Sequence, residues 1–284
     1  MIINTGKLFK AIRKNRALTQ VEVARNLISQ STYSKFESGS QDISSGIFLE
    51  LLNRLNLSVD EFQYISNNYN YGVKNNLIKE FFTLNYNNIR KITILEKKIN
   101  SFLEKQYDVE IDDIRRICKA FIQMNDNNLE TAQQIVEPIW QRISLYEQWY
   151  VNDLKIINSI LFLFPIDSVA DFTKNVLSRL SEYNHYPEAK ELESAFTVNL
   201  SLLLIKGGKF SEALEIIEHS LLVEKKRLHY TILALYYTRK AICQYSLEVD
   251  KPLFYLEKAA NLVSIYDDLE YWDCIYKEYM YYTS

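Results

Sequence analysis

The residues best suited to recognition chemistry lie together near the N-terminus. Gln30, Ser31 and Thr32 are consecutive, and Ser34 and Lys35 follow closely. Side-chain amides and hydroxyls hydrogen-bond the base edges exposed in the major groove of DNA, and a lysine binds phosphate. These residue types in this order therefore predict base contacts from the first four residues and a phosphate contact from Lys35.

A short helix must precede this segment to support it. Thr19 and Glu22 have the spacing of a capping box, in which each side chain satisfies a backbone N–H at a helix start. Apolar residues from Val21 to Leu27 then recur at helical spacing. The sequence therefore predicts a helix over about residues 20–27.

The polar segment itself is predicted to be a second short helix, residues 30–37. Ser29 suits its N-cap, Tyr33 and Phe36 are its buried pair, and Gly39 suits a left-handed C-cap. The outward face then carries small polar groups, which is typical of a recognition helix in the major groove. The alternative is a surface helical hairpin without a DNA-binding role, since two capped short helices at this spacing also occur by chance.

A basic helix is predicted over residues 5–16. Leu8, Phe9 and Ile12 form its apolar face, and the outer face is basic with no acid in the range. Such a local excess of positive charge favours contact with the phosphates of DNA. The predicted phosphate contacts are Arg13, Lys14, Thr19, Gln20 and Lys35.

Two further capped helices complete a small domain. Ser45 is expected to cap a fourth helix, and Ser58 forms a capping box with Glu61 at the start of a fifth. The five helices occupy residues 1–66. The asparagine-rich residues 67–73 are predicted to be a linker because they are polar and contain one of the few glycines.

The composition of the 284-residue chain bounds what it can be. Six glycines and four prolines leave few tight turns, which indicates an almost entirely helical protein of two domains. No run of 18 apolar residues and no signal-peptide pattern are present, so no membrane association is expected. The three cysteines fit no disulfide or metal pattern, which indicates core residues of a cytoplasmic protein.

Charge is distributed unevenly along the chain. The net charge is −3, but residues 1–66 hold eight Lys or Arg and six Asp or Glu, a net charge of +2. The remainder therefore carries −5. The basic N-terminal part suits DNA, and the acidic remainder is expected to stay off DNA and to face other partners.

Residues 74–284 are predicted to be a series of helices with short polar breaks and no strand signal. Predicted breaks include Pro165, the segment from Asn184 to Pro187, and Asp250. Helix pairs recur, because the second helix of each pair opens at Ala132, Ala170, Ala213 or Phe254, with spacings of 38, 43 and 41 residues.

A period near 40 residues resembles a degenerate tetratricopeptide (TPR) array, a right-handed superhelix of helix pairs. An irregular helical bundle is the alternative. In such an array the first helix of each pair lines a concave surface that accepts extended peptides. The first helices are predicted at about 109–124, 147–163, 188–206 and 228–247.

Polar residues on these first helices are the candidates for ligand contact. An asparagine amide can bind both the N–H and the C=O of an extended peptide without reading its side chains. The alternative for each residue is an exposed or locally bonded side chain. The predicted peptide-binding residues are Asn152, Asn158, Asn199, Tyr236, Tyr237 and Arg239.

Nothing in the sequence suggests an enzyme. The chain shows no glycine-rich phosphate loop, and His185, His219 and His229 lack the spacing of metal ligands. No catalytic residue, metal or cofactor is therefore predicted. The C-terminal tyrosines suit either a dimer interface or ordinary packing, and they are Tyr276, Tyr279, Tyr281 and Tyr282.

The N-terminal region resembles the lambda-repressor-like, or Xre, group of helix-turn-helix domains. More narrowly, residues 29–39 followed by Ile43 and Ser44 resemble the Rgg/MutR regulators of streptococci and related Firmicutes, whose motif is Ser-x-Ser-x-x-Ser-Arg-Phe-Glu-x-Gly and then Ile-Ser. Lys35 stands where arginine is usual, which keeps a positive charge but loses bidentate geometry. Ser45 stands where some relatives have a cysteine that links two protomers.

Residues 149–154 also resemble the repeat domain of that family. The resemblance implies a homodimeric, cytoplasmic quorum-sensing transcription factor that binds promoter DNA and a short hydrophobic peptide pheromone, without a cofactor. Asn152 and Asn199 would then hold the peptide backbone. Two alternatives stay open: a repeat domain that is only a dimerisation or docking scaffold, and a phage-type repressor controlled by a protein antagonist.

Overall fold

The computed structural model describes residues 4–84, 88–164, 166–183, 186–249 and 252–284. Within these ranges the regular structure is helical and no strand occurs. The chain forms two compact units, Met1–Phe82 and Thr83–Ser284. The predicted breaks at Pro165, at Asn184 and at Asp250 lie outside the described residues, as does His185.

The described residues of the first unit form six helices, and several of their N-caps follow from local sequence. The Thr19 and Glu22 capping box is present, and the Ser29 hydroxyl accepts from the Thr32 amide. Gly39 ends the third helix at φ 79°, a left-handed C-cap. The helices are α1 Thr5–Asn15, α2 Gln20–Ala24, α3 Gln30–Ser38, α4 Ser45–Arg54, α5 Val59–Ser66 and α6 Gly72–Thr83.

Two local predictions need correction. Ser44, rather than Ser45, is the N-cap of α4, since its side chain accepts from the Ile47 amide. α2 ends at Ala24 instead of Leu27. It stops there because the Arg54 side chain donates to the carbonyl oxygens of Val23 and Arg25 and so satisfies the end of the helix. Because Arg54 is distant in sequence, the residues around Ala24 give no indication that the helix ends there.

The core of the first unit is aromatic at its centre. Phe9 is fully buried, and its ring centroid lies 5.2 Å from that of Phe36 and 5.1 Å from that of Phe62. Gly6 on α1 allows this approach, because a Cβ there would lie 1.8 Å from the Phe36 carbonyl oxygen. α1 and α3 therefore pack with their backbones nearly in contact.

α6, which begins inside the predicted linker, lies almost entirely in the first compact unit. Its buried residues are Leu77 and Phe81.

The second unit is built of ten α-helices and one 3₁₀ turn in the described ranges. The predicted helix over 147–163 is shorter than expected, because Trp149 Nε1 donates to the Ile143 carbonyl and holds the preceding segment at the end of another helix. The helices are α7 Ile89–Leu103, α8 Val109–Asn125, α9 Leu129–Ser144, α10 Val151–Ile160, α11 Ile166–Glu182, α12 Pro187–Lys206, α13 Phe210–Val223, α14 Tyr230–Ser246, α15 Pro252–Ile265 and α16 Leu269–Thr283, with the 3₁₀ turn at Leu161–Leu163.

The helices of this unit make two kinds of contact with one another. Helices adjacent in sequence pack together, such as α12 with α13 and α14 with α15. In addition, α8, α10, α12, α14 and α16 each contact the next member of that series, so the alternate helices form a continuous row. Such packing is that of a TPR-like repeat, and the predicted all-α fold is confirmed.

Hydrogen bonds along the row show the period directly. Asn199 bonds to Asn158 across 41 residues, and Tyr236 bonds to Ser194 across 42. Tyr271 donates to the Thr231 carbonyl across 40 residues. The period predicted from the second helices is therefore expressed in polar links between the first ones.

All three cysteines lie in the second unit. Cys118 and Cys243 are buried and Cys274 is half-buried. In the part of the chain that the structure describes, no helix combines the length and hydrophobicity needed to cross a bilayer. No cluster of possible metal ligands occurs among the described residues.

Candidate functional site

The N-terminal turn of α3 presents the predicted base-reading side chains. Gln30 and Ser31 are exposed, and Thr32 is half-buried. The Ser29 hydroxyl lies 2.9 Å from the Ser31 hydroxyl and 2.8 Å from that of Thr32. The N-cap therefore holds both hydroxyls in one local network, and Ser34 lies half-buried on the same helix.

A chain of hydrogen bonds ties Gln30 to the interior. Its Nε2 donates to Gln20 Oε1 at 2.6 Å, and Gln20 Nε2 donates to Glu37 Oε2 at 2.8 Å. Glu37 in turn accepts from Arg13 Nε at 2.5 Å and from Arg13 Nη2 at 2.8 Å. The exposed amide is thus oriented by a buried ion pair that spans α1 and α3.

Arg13 is held inside the unit by an ion pair with Glu37, and its role as a phosphate contact stays a prediction. The residue is only 8% exposed, and its third bond goes from Nη1 to the Leu18 carbonyl at 2.7 Å. Burial alone would raise the pKa of Glu37, but the bonds from Arg13 and Gln20 outweigh it and hold that pKa below its ordinary value. Both partners are therefore charged and engaged inside the unit.

The other predicted phosphate contacts lie at the surface. Lys14 and Lys35 are exposed near the ends of α1 and α3. Thr19 is exposed, although its hydroxyl donates to Glu22 Oε2 at 2.7 Å within the capping box. Gln20 is half-buried between Gln30 and the buried ion pair. Sequence reasoning missed this bridging role because its partners lie 10 and 17 residues away.

In the second unit, the structure joins two of the three predicted asparagines. Asn199 Nδ2 on α12 donates to both the backbone oxygen and Oδ1 of Asn158 on α10, at 2.9 Å each. Asn158 is 9% exposed. Asn152, at the start of α10, is exposed.

Tyr236, Tyr237 and Arg239 lie inside the packing between helices rather than along an open surface. Tyr236 is fully buried and donates to the Ser194 carbonyl at 3.3 Å. Tyr237 is 7% exposed and packs against the Tyr255 ring. The structure therefore places these three residues in the packing between helices, and their part in peptide binding stays a prediction.

Arg239 is buried, whereas its sequence context suggested an exposed position. The residue is 3% exposed, and its guanidinium donates to Glu278 on α16 and to the Val198 carbonyl and Ser201 hydroxyl on α12. An arginine in a helix normally indicates a solvent-facing position. Here a partner 39 residues away satisfies the charge.

A cavity of about 660 Å³ opens at the N-terminal ends of α12 and α14. Its volume lies in the range of small-ligand sites. At its wall, Ser194 donates to the buried Glu224 at 2.7 Å, and Arg227 pairs with the same carboxylate at 2.7 Å. None of the six predicted peptide residues lines it. The lining residues are Lys190, Glu191, Ser194, Arg227, Leu228, His229 and Ile232.

The C-terminal tyrosines divide into two groups. Tyr281 and Tyr276 are exposed by 77% and 39%, whereas Tyr279 is 7% exposed and belongs to the core of the unit. Tyr282 packs against that core. Only the first two are placed to meet a partner.

Two family models match the chain. A helix-turn-helix model covers residues 9–62, and the model described as "HTH-type transcriptional regulator Rgg, C-terminal domain" covers residues 115–251. The first match contains α2 and α3, and the second contains the row from α10 to α14. The second model describes transcriptional regulators rather than enzymes.

Solved structures share the fold over nearly the whole chain. Bacillus thuringiensis PlcR, crystallised with the peptide PapR7 and DNA, has a TM-score of 0.75 at 17% identity and covers 96% of this chain and 99% of its own. The Streptococcus dysgalactiae SHP pheromone receptor Rgg2 has a TM-score of 0.70 at 18% identity, covering 98% and 99%. S. thermophilus ComR, in complex with DNA and its signalling peptide, has a TM-score of 0.64 at 17% identity, covering 99% and 100%.

The two matched domains occur in the order that the sequence motif implied, and the fold agrees over both of them. The resemblance noted from residues 29–39 is thereby confirmed. The chain thus combines a helix-turn-helix match with a match to the C-terminal domain of Rgg regulators, and it is similar to transcriptional regulators of the Rgg type.

Proposed function

We propose that this chain is a cytoplasmic regulator that binds promoter DNA as a homodimer and is controlled by a short hydrophobic peptide. The observation that carries the proposal is the oriented, polar N-terminal turn of α3 within a matched helix-turn-helix domain. Relatives support both halves, since PlcR and ComR were each crystallised with DNA and a peptide. In this proposal residues 1–66 form the DNA-binding domain, 67–73 the linker and 74–284 the regulatory domain.

On the DNA side, Gln30 and Ser31 are the principal base contacts because they are the exposed members of the turn. Thr32 and Ser34 contribute from half-buried positions. The bond that Gln30 Nε2 donates to Gln20 Oε1 fixes the Gln30 amide before DNA arrives, so less side-chain freedom is lost on binding. Phosphates are bound by Lys14, Thr19, Gln20 and Lys35.

On the peptide side, Asn152, Asn158 and Asn199 lie on the row of first helices. The Asn158–Asn199 pair links α10 to α12 through two bonds from one amide. A peptide backbone that bonds to Asn199 would replace these bonds and change how α10 and α12 are held together. Peptide occupancy would then be transmitted along the row, whose members contact one another in sequence.

The peptide half is tested by fluorescence polarisation with labelled short hydrophobic peptides encoded near the gene. Saturable binding that Asn199→Ala weakens at least tenfold supports the proposal. Asn261→Ala, at an exposed position of α15, is the matched control and should bind normally. Unchanged peptide affinity in Asn199→Ala would overturn the assignment of the site.

The DNA half is tested by selecting duplexes from a random pool with the full-length protein. Gln30→Ala should relax the base preference at specific positions of the selected site, by about 1–3 kcal/mol per contact. An unaltered selected sequence would remove Gln30 from the base contacts.

A repeat unit that serves only as a scaffold is the second candidate. Its specific support is that Tyr236, Tyr237 and Arg239 fill the space between helices with the protein's own side chains. The scaffold predicts normal DNA binding with no response to any neighbouring peptide. The peptide titration therefore separates the two candidates.

A further inference from the structure

Three lysines converge on two tyrosine rings where α14 packs against both α13 and α15. Tyr237 and Lys240 lie about one turn apart on α14 and are only 7% and 8% exposed. Lys225 follows the C-terminal end of α13, and Lys258 lies half-buried on α15. The lysine cluster consists of these three lysines and the rings of Tyr237 and Tyr255.

The ammonium groups of the cluster lie over the faces of the two rings. Lys225 Nζ and Lys258 Nζ are each 5.8 Å from the centroid of the Tyr237 ring. Lys240 Nζ lies 4.3 Å from the Tyr255 centroid, and Lys258 Nζ lies 5.4 Å from the same point. Since the two ring centroids are only 6.0 Å apart, the three cations occupy one small region of the unit.

Negative charge is scarce around these ammonium groups. Glu218 accepts a hydrogen bond from Lys240 at 2.7 Å. Glu224, beside Lys225 in the sequence, is instead bonded to the Ser194 hydroxyl. Among the described residues, the ammonium groups of the other two lysines have no carboxylate oxygen within 4.0 Å. Three lysines against one glutamate leave this group with a net charge of +2.

This concentration of positive charge costs free energy unless an anion completes it. Ammonium groups that lie close together repel one another, and the repulsion is stronger where burial excludes water, as at Lys240. A cation–π contact holds an ammonium group in place but does not remove its charge. The rings therefore position the lysines, and the charges remain for a ligand to neutralise.

A phosphoryl group matches the cluster better than a carboxylate does. It carries a charge of about −1.5 to −2 at pH 7 and three strong acceptor oxygens, one for each ammonium group. A carboxylate has a single charge and would leave the cluster positive. Phe254 is 47% exposed, and its ring centroid lies 4.3 Å from Lys258 Nζ. An apolar surface therefore adjoins the cations and suits the organic part of a phosphorylated compound.

We propose that the lysine cluster is a binding site for a small phosphorylated compound, whose phosphoryl group is bound by Lys225, Lys240 and Lys258. The site lies wholly within the second unit, and it requires neither DNA nor a signalling peptide. The proposal therefore goes beyond the proposed function, and its failure would leave that function untouched. It gives the regulator a second chemical input, a phosphorylated small molecule.

The test is isothermal titration calorimetry of the full-length protein with pyrophosphate at constant ionic strength, so that screening does not change during the titration. The wild type should bind pyrophosphate saturably, and Lys225→Gln/Lys258→Gln should weaken this binding by roughly tenfold or more. Lys240 is left unchanged because it is buried, so the variant should fold. The matched control is Lys105→Gln/Lys209→Gln, which removes the same charge from exposed positions of the same unit and should bind as the wild type does.

Three outcomes would contradict the proposal. If pyrophosphate gives no saturable heat with the wild type, the lysines serve only in cation–π packing. If both double variants lose affinity equally, the binding reflects the overall charge of the unit and not a site. If a short polyglutamate peptide binds the wild type and not the lysine variant, while pyrophosphate binds neither, the cluster takes an acidic protein segment instead. The wild-type titration alone decides the first of these, whatever the stability of the variants.

Discussion

Arg239 and Glu278 form a two-point ion pair that joins α14 to the last helix of the chain. Nε lies 2.6 Å from Oε1, and Nη2 lies 3.2 Å from Oε2. Arg239 also reaches the Val198 carbonyl on α12, so one side chain connects three consecutive members of the helix row. Because Arg239 is buried, loss of the Glu278 carboxylate would leave its positive charge without a partner in the interior.

Glu278→Gln should destabilise the second unit strongly. It leaves the buried Arg239 guanidinium without its counter-charge, and breaking such a pair costs about 3–5 kcal/mol. Urea unfolding followed by circular dichroism measures the loss. Asp273→Asn is the control on the same helix, because the Asp273–Lys277 pair is exposed and should contribute little to stability. Equal small effects from both substitutions would contradict the buried role of Glu278.

Gly6→Ala and Gly46→Ala should act in opposite directions. A Cβ at Gly6 would lie 1.8 Å from the Phe36 carbonyl, so α1 must move away from α3 at a cost of about 1–3 kcal/mol or more. At Gly46, in the first turn of α4, a Cβ meets nothing within 4 Å. Alanine there should stabilise the helix by up to ~1 kcal/mol. Thermal unfolding of the two variants measures these changes. A Gly6→Ala variant as stable as the wild type would disprove the close packing of α1 and α3.

Lys35→Gln and Arg13→Gln should separate surface charge from structural charge. Lys35→Gln is expected to lower the slope of log K against log salt for DNA by about 0.9 while leaving the midpoint of thermal unfolding unchanged. Arg13→Gln should lower the free energy of unfolding by about 3–5 kcal/mol, because it leaves Glu37 buried and unpaired. An Arg13 variant of normal stability would favour the predicted phosphate contact for that residue.

Stability should depend on Glu37 at acid pH. Burial raises the pKa of Glu37, but its bonds from Arg13 and Gln20 prevail and hold the pKa below the ordinary 4.5. A carboxylate with a lowered folded-state pKa stabilises the fold above its unfolded value, and this contribution disappears as the pH falls through the folded value. The free energy of unfolding of wild type should therefore drop below about pH 4.5 more steeply than that of Glu37→Gln.

Glu50→Gln, at an exposed position of α4, is the control for that experiment and should follow the wild type. Parallel curves for wild type and Glu37→Gln would show that the Glu37 carboxylate does not titrate differently in the folded state. Chemical unfolding at each pH gives the required free energies.

Local sequence sufficed where the determining contacts are local. The capping box of Thr19, the N-cap of Ser29 and the left-handed Gly39 all depend on neighbours within a few residues. The recognition helix and the near-40-residue period could therefore be predicted, the second because repetition itself is visible in sequence.

Long-range partners explain why the structure places two predicted site residues in the interior. Arg13 was assigned to the surface because it is a cation on an amphipathic helix, but its partner lies 24 residues away. Arg239 was assigned to an open groove, and its partner lies 39 residues away. Amphipathic patterns place charges outward by default, so a buried pair becomes visible only when both helices are in place.

The hydrogen bonds between alternate helices also determine the order in which the second unit unfolds. Each link joins a helix only to its neighbours in the row, as in Tyr271 to Thr231 and Tyr236 to Ser194. Unfolding can therefore begin at the C-terminal end and advance one repeat at a time, in the manner of a one-dimensional chain. The end helix α16 should fray first and exchange its amide hydrogens soonest, whereas α12, held from both sides, should exchange last.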